Sequence, residues 1–276
     1  MQRHARIAVL GAGYVGSALA RAARKRGDDV WAVRRTPRSG KEDGVHWISG
    51  DLTAGRIHEL PDQLDAVVLT VAPGGAGDYD ATYPPAAQAA VALARASGAR
   101  SLVYTSSTGV YGGRDGEWVT EASERRGAGP GNDALRAAED IVMTSGLPRS
   151  TVLRVAGIYG PGRDPRPRMM DAALLPERGE YWSNLAHRED IIAGILHTIG
   201  LREAPLVMNL SDGAPTLAAD VARWLATQRG EDPDMLVFGN DAQRSRNNQR
   251  VSNARLVGTG WTPRYPTYRE GFAHGL

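Results

Sequence analysis

The chain has 276 residues, 42% of them apolar, which is enough for one large α/β domain or a domain with a smaller appendage, and too much for disorder. It contains no cysteine, so disulfides, thiolate nucleophiles and cysteine-ligated zinc are excluded. Its 33 basic and 31 acidic side chains leave a formal charge of +2 and intermingle along the chain, without the clustered basic stripe that nucleic-acid binding needs.

The first apolar run, RIAVL (6–10), breaks into glycines after five residues, too short for a secretory signal. No later stretch approaches a membrane span, so a soluble, cytoplasmic protein is expected. That run reads as a buried strand leading straight into Gly11, Gly13 and Gly16, with Tyr14 and Val15 between them, and then a helix, SALARAARKRG (17–27), stopped by glycine. A strand, a G-x-G-x-x-G turn and a helix in that order form a dinucleotide-binding unit. The first glycine permits the tight turn, the second lets backbone approach a pyrophosphate at the helix N-terminus, and the third lets helix and strand pack closely. The second strand, DVWAV (29–33), runs into Arg34, Arg35 and Thr36. An acidic residue there would bind the ribose 2′-hydroxyl of NAD; two guanidiniums and a hydroxyl suit a 2′-phosphate, so NADP is expected in preference to NAD.

A third strand, VHWIS (45–49), is followed by SGDLT, which places Asp51 and Leu52 beside the adenine. The fourth, AVVLTVA (66–72), ends in TVAPGG and brings Val71, Ala72 and glycines to the crest of the sheet, where open α/β folds bind ligands. An alanine-rich helix is expected over 84–98 (PPAAQAAVALARASG). The fifth strand, SLVYTS (101–106), opens into a run of hydroxyls, YTSSTGVYGG (104–113), with Thr105 and Ser106 as candidate cofactor contacts and Ser107 and Tyr111 beyond them. Then come a helical segment, GPGNDALRAAEDIVM (129–143), and a sixth strand, STVLRVA (150–156). Near-continuous apolar strands alternating with helices predict a parallel sheet covered on both faces. Beyond about residue 160 the pattern turns irregular. The expected organisation is therefore an NAD(P)-binding domain over 1–160 and a mainly substrate-binding part over 161–276, from which a helix and a strand (LVMNLS, 206–211) return to the sheet. EYWSN (180–184) puts Tyr181, Trp182 and Asn184 in that part's cleft as candidate substrate contacts. TLAADVARWLATQRG (216–230) is expected to start on a threonine cap, and GNDAQRSRNNQR (239–250) to be a polar surface loop. The six histidines are scattered without metal-ligand spacing, and no metal is expected.

GAGYVG, GDL, SSTGVYG and LRVAGIYGPG (153–162) together resemble the extended short-chain dehydrogenase/reductases, the NAD(P)-dependent epimerase/dehydratase group, over almost the whole chain. SNLAHREDII (183–192) is similar to that group's His-x-x-Asp segment, with His187 and Asp190 in the matching places. The resemblance implies a doubly wound Rossmann sheet with a smaller C-terminal substrate-binding subdomain. It also implies that Ser107 hydrogen-bonds the reacting oxygen, with Tyr111 and Gly112 as its frame, and that Tyr159 lines the nicotinamide pocket. The family often pairs through the helix equivalent to 129–143, so a homodimer is an open expectation.

One part of the family pattern is missing. Its main catalyst is a Tyr-x-x-x-Lys on that helix, in which lysine holds the nicotinamide ribose and tunes the phenol as proton donor. Here, by spacing, Asn132 stands where tyrosine would be and Arg136 where lysine would be, and the only lysines are Lys25 and Lys41. Arg136 can hold ribose hydroxyls; Asn132 can orient a carbonyl, as a substrate contact, but cannot release a proton. The proton would then come from water, substrate, Tyr111 or His187, while Asp190 would cap or brace the helix it opens. Three readings stay open: NADP(H)-dependent hydride transfer on a small polar substrate, a cofactor-sensing or scaffold protein that has lost catalysis, and a non-redox lyase or isomerase.

Overall fold

Runs apolar on both faces can be satisfied only inside a sheet covered on both sides, and the strands form where those runs lie. The computed structural model describes residues 4–36, 40–54, 57, 59–74, 78–171, 179, 181–238, 247–274 and 276. In chain order these give β1 (Arg6–Leu10), α1 (Tyr14–Lys25), β2 (Asp29–Arg34), β3 (Gly40–Glu42), β4 (Val45–Ser49), β5 (Ala66–Leu69), α2 (Tyr79–Ala96), β6 (Ser101–Ser107), β7 (Glu117–Val119), α3 (Pro130–Met143), β8 (Ser150–Val155) and β9 (Gly157–Tyr159). They continue with α4 (Arg166–Met169), β10 (Trp182–Ser183), β11 (Leu185–His187), α5 (Arg188–Gly200), β12 (Val207–Leu210), β13 (Thr216–Leu217), α6 (Ala218–Gln228), β14 (Gln249–Val251), α7 (Ala254–Val257) and α8 (Tyr268–His274).

The main sheet runs β12-β8-β6-β5-β1-β2-β4-β3. Seven of its strands form the parallel, helix-flanked sheet of a Rossmann-like fold, and β3 lies antiparallel to β4 at one edge. In β5 every residue is buried, as are Ile7 to Leu10 of β1, which is why both read as unbroken apolar runs. The strand order reverses between β1 and β5, so the first glycine-rich turn and the end of β5 meet at the crest of the sheet, the switch point where such folds bind ligands.

The chain divides into two compact units. Unit 1 comprises 1–107, 128–154 and 191–208; unit 2 comprises 108–127, 155–190 and 209–276. Unit 2 has a core of its own, Tyr159, Leu185, Val221, Leu225, Tyr268 and Phe272, and three two-stranded pairings, β10 with β13, β11 with β9, and β14 with β7.

Three sequence expectations are corrected. The helix expected to start at Pro84 starts at Tyr79, and both prolines lie inside α2. Buried Thr82 and a stacked Tyr79–Tyr83 pair, one turn apart, hold the earlier residues helical despite the two missing N–H donors. Thr216 does not cap α6: it pairs with Ser183 in the β10–β13 ladder, its hydroxyl donates to the Ala214 carbonyl at 3.0 Å, and Leu217 takes the cap position. Finally, 239–250 is no loop throughout. Residues 239–246 lie outside the described residues, but Asn248 and Gln249 are buried and Gln249–Val251 is the strand β14.

Candidate functional site

In unit 1, β1 enters the glycine turn with Gly11 at φ +90°, in the left-handed region. A Cβ on Gly11 would meet the Val71 backbone nitrogen at 2.8 Å, and one on Gly16 would meet the Gly11 carbonyl and the Thr70 hydroxyl at 2.5 Å. Both positions therefore admit only glycine. Around Gly13 a Cβ would meet nothing of the described residues nearer than the Gly11 carbonyl at 4.0 Å, which leaves open space in front of the first turn of α1. That turn carries no acidic residue and no side-chain cap, so its positive end is uncompensated. The Thr70 hydroxyl donates to the Gly11 carbonyl at 2.9 Å and ties the turn to the end of β5.

Beside this turn lies a cavity of about 340 Å³. It collects seven of the residues picked out as cofactor contacts: Gly11, Arg34, Arg35, Asp51, Leu52, Val71 and Ala72. It also takes Thr53, from the segment after β4, and Asp78, Ala81 and Thr82 from the start of α2, which sequence reasoning missed because it began that helix at the prolines. Gly13, Tyr14, Val15, Gly16 and Thr36 lie in the flanking segments outside the lining, and Gly75, the second crest glycine, falls outside the described residues. The Nε of Arg34 is buried and has no hydrogen-bond partner among the described residues. Asp51 accepts the Thr53 N–H at 2.9 Å and the Thr53 hydroxyl at 2.8 Å. That hydroxyl above all, and the Arg35 charge besides, hold its carboxyl below the usual range. The cavity thus offers two guanidiniums, the carboxylates of Asp51 and Asp78, and an apolar floor.

Further along the sheet of unit 1, Ser107 ends β6, half-buried. Thr105 donates to the Leu69 carbonyl at 3.3 Å, and Ser106 is turned inward, donating to Glu139 of α3 at 2.7 Å. Glu139 is fully buried and pairs through both oxygens with Arg154 of β8, at 3.0 and 2.8 Å. This three-membered network fixes α3 against β6 and β8. On the half-buried stripe of α3, the Asn132 amide donates to the Ala128 carbonyl at 2.8 Å, and Arg136 pairs with Asp133 one turn back. Ser107, Asn132 and Arg136 therefore all belong to unit 1.

The other candidates lie in unit 2. Tyr111 is buried and its phenol donates to the Asn209 amide oxygen at 2.5 Å. His187 is buried as well, its Nδ1 accepting the Glu189 N–H at 3.2 Å, with its ring 4.1 Å from that of Tyr265 and 5.1 Å from that of Tyr159. Tyr159 is fully buried, edge-on to Phe272, and burial pushes its phenol well above the ordinary tyrosine range. Asp190 accepts the N–H groups of Arg264 and Tyr265 at 2.7 and 3.0 Å and ties that distant segment to the first turn of α5. The Asn184 amide bridges the Gln249 carbonyl and the Val251 N–H, both at 2.7 Å, while Tyr181 and Trp182 are half-buried beside it.

The family model described as NAD(P)H-binding matches residues 11–190, which span the glycine turn, the cavity and the hydroxyl strand. The chain belongs to the NAD(P)H-binding family. Protein YeeZ of Escherichia coli (strain K12) is 32% identical over 205 residues, covering 69% of this chain and 71% of its own. Among solved structures, an NAD-dependent epimerase/dehydratase from Methylobacillus flagellatus, named as putative, is 26% identical over 98% of this chain and 97% of its own, with a TM-score of 0.80. MoeE5, solved in complex with UDP-glucose and NAD, is 25% identical over the same shares, with a TM-score of 0.78. These likenesses agree with the resemblance to the extended short-chain dehydrogenase/reductases and with a nicotinamide cofactor. In this NAD(P)H-binding protein the glycine turn and the cavity offer residues that could hold a dinucleotide.

Proposed function

We propose that the protein binds NADP(H) and, as an atypical short-chain reductase, transfers hydride to or from a small polar substrate. The observation that carries the cofactor choice is the end of β2, where Arg34, whose buried Nε has no partner among the described residues, and Arg35 both line the cavity. A 2′-phosphate offers two guanidiniums an anionic acceptor; a 2′-hydroxyl offers a poorer one. The bound dinucleotide would contribute the hydride chemistry. The chain's own part is to hold it, with the open face at Gly13 for the pyrophosphate and the two arginines for the 2′-phosphate, while Ser107 orients the reacting oxygen and Arg136 the ribose. Tyr111 and His187 are engaged inside unit 2, which favours water or the substrate itself as the proton source.

Titration of nicotinamide fluorescence tests the cofactor choice. NADPH is expected to bind more tightly than NADH, and Arg34→Ala to weaken NADPH by about tenfold to a hundredfold, the worth of one charge-assisted hydrogen bond, with NADH nearly unchanged. Equal loss for both dinucleotides overturns it. A second reading, cofactor sensing without turnover, is favoured by the engagement of Asn132 with the Ala128 carbonyl just before α3 and of Arg136 with Asp133 within it. It predicts tight NADPH binding and no absorbance change at the reduced-nicotinamide band with any carbonyl or alcohol offered, whereas hydride transfer predicts a change that Ser107→Ala slows.

A further inference from the structure

Arg250, in β14 of unit 2, sits in a setting that the cofactor chemistry does not use. It faces Trp118 in the β14–β7 pairing. Its guanidinium lies over the Trp118 ring at 5.3 Å and over the Trp182 ring at 4.9 Å. Its Nε donates to the Gly116 carbonyl at 2.6 Å. No other hydrogen bond and no carboxylate pairs with it among the described residues, so the Nη1 and Nη2 donors are unused.

The surroundings hold this geometry in place. Asn184 clamps the backbone on both sides of Arg250, at Gln249 and Val251. The Trp182 backbone N–H donates to the Asn248 amide oxygen at 2.9 Å. Gly116, at φ +74°, leaves room for the Trp182 indole, since a Cβ there would meet the indole nitrogen at 2.7 Å. Among the described residues Trp118, 53% exposed, is the only aromatic in the set of large apolar side chains left open to solvent.

We infer that Trp118, Arg250 and Trp182 form a binding site for a ring-bearing oxyanion. The Nη edge of Arg250 receives the carboxylate or phosphate as a fork, and the open Trp118 indole stacks on the ring. A guanidinium over indole rings has its charge partly balanced by their π faces while its free Nη donors still seek acceptors, and its weak hydration makes exchange of water for an oxyanion favourable. Calling this ligand the substrate rests on the function proposed above; the site itself does not.

Isothermal titration and tryptophan fluorescence of the full chain test it, with glucuronate, glucose 1-phosphate, inorganic phosphate and glucose as probes. Both anionic sugars are expected to bind and glucose not to. Preference between glucuronate and glucose 1-phosphate tells carboxylate from phosphate. Arg250→Met is expected to abolish binding and Arg250→Lys to weaken it by about tenfold, because lysine keeps the charge and loses the fork. Trp118→Ala is expected to weaken the sugar anions and leave inorganic phosphate unchanged. Absence of anion binding to the wild type, or equal binding by Arg250→Met, overturns the site. Should both Arg250 variants fail to fold, the wild-type titration and Trp118→Ala still decide. An NADPH titration on the same samples keeps the two ideas apart: lost NADPH binding with anion binding intact counts against the cofactor reading, and the reverse counts against this site.

Discussion

Asp212, just after β12, is 7% exposed and accepts the Ala214 N–H at 3.0 Å. Burial, aided by the charges of Asp190 and Glu270, raises its carboxyl from 3.8 to about 7. The folded protein therefore holds a proton there that the unfolded chain releases, so the contribution to stability is complete below pH 4 and is lost as pH rises through 7. A shift of that size corresponds to about 4 kcal/mol at most. Asp212→Asn keeps an acceptor for Ala214 without a titrating proton. Urea unfolding between pH 5 and pH 8.5 is expected to show a falling midpoint for the wild type and a flatter one for Asp212→Asn; parallel curves would count against the assignment. Nothing in the sequence SDG marks this aspartate, because its proton affinity comes from burial and from Asp190 and Glu270, far away in the chain. Gly11 and Gly16 are the contrary case: what restricts them is their own turn and the end of β5, the strand beside β1, and the G-x-G-x-x-G spacing alone identifies them.

At the scale of elements, α3 matters most because it carries Asn132 and Arg136. Its register on the sheet is set by Glu139, held by Arg154 of β8 and Ser106 of β6. Removing one charge of a buried pair leaves the other uncompensated, so Glu139→Gln is expected to cost about 3–5 kcal/mol in urea unfolding. Replacing Arg154 by Met in the Glu139→Gln background should recover part of that loss, because the stranded guanidinium is gone; failure to recover would mean that the pair is not what fixes the helix. The seven parallel strands of the main sheet were legible as unbroken apolar runs because both their faces are covered, and α1 because one buried stripe imposes a period; β3 and the short strands β7, β9, β10, β11, β13 and β14 were not. The start of α2 was hidden by Pro84 and Pro85, whose local preference is outweighed by the packing of the preceding turn. The stretch Asn247–Asn253 was hidden differently. It is held by side-chain amides bonded to backbone, as in Gln249 to Gly113 and Thr108 and Asn209 to Ser252, and such bonds leave no periodicity to read.

For the whole molecule, the two units share three elements: β8, α5 and β12 each run across a boundary, at 154/155, 190/191 and 208/209. Melting either unit would unravel a strand or helix end belonging to the other, so unfolding is expected to be one cooperative transition rather than two. The cavity residues lie in unit 1 and Asp212 in unit 2, which supplies two independent handles on that transition. NADPH at a hundred times its Kd should stabilise by about 2.7 kcal/mol, and Asp212→Asn should stabilise at pH 8 by its own increment. In a single cooperative system both raise the same thermal midpoint, and their effects add, since the sites share no partner. Calorimetry at pH 8 on wild type and Asp212→Asn, each with and without NADPH, checks this. Two resolved peaks, one moved only by NADPH and the other only by the substitution, would show that the shared elements do not couple the units.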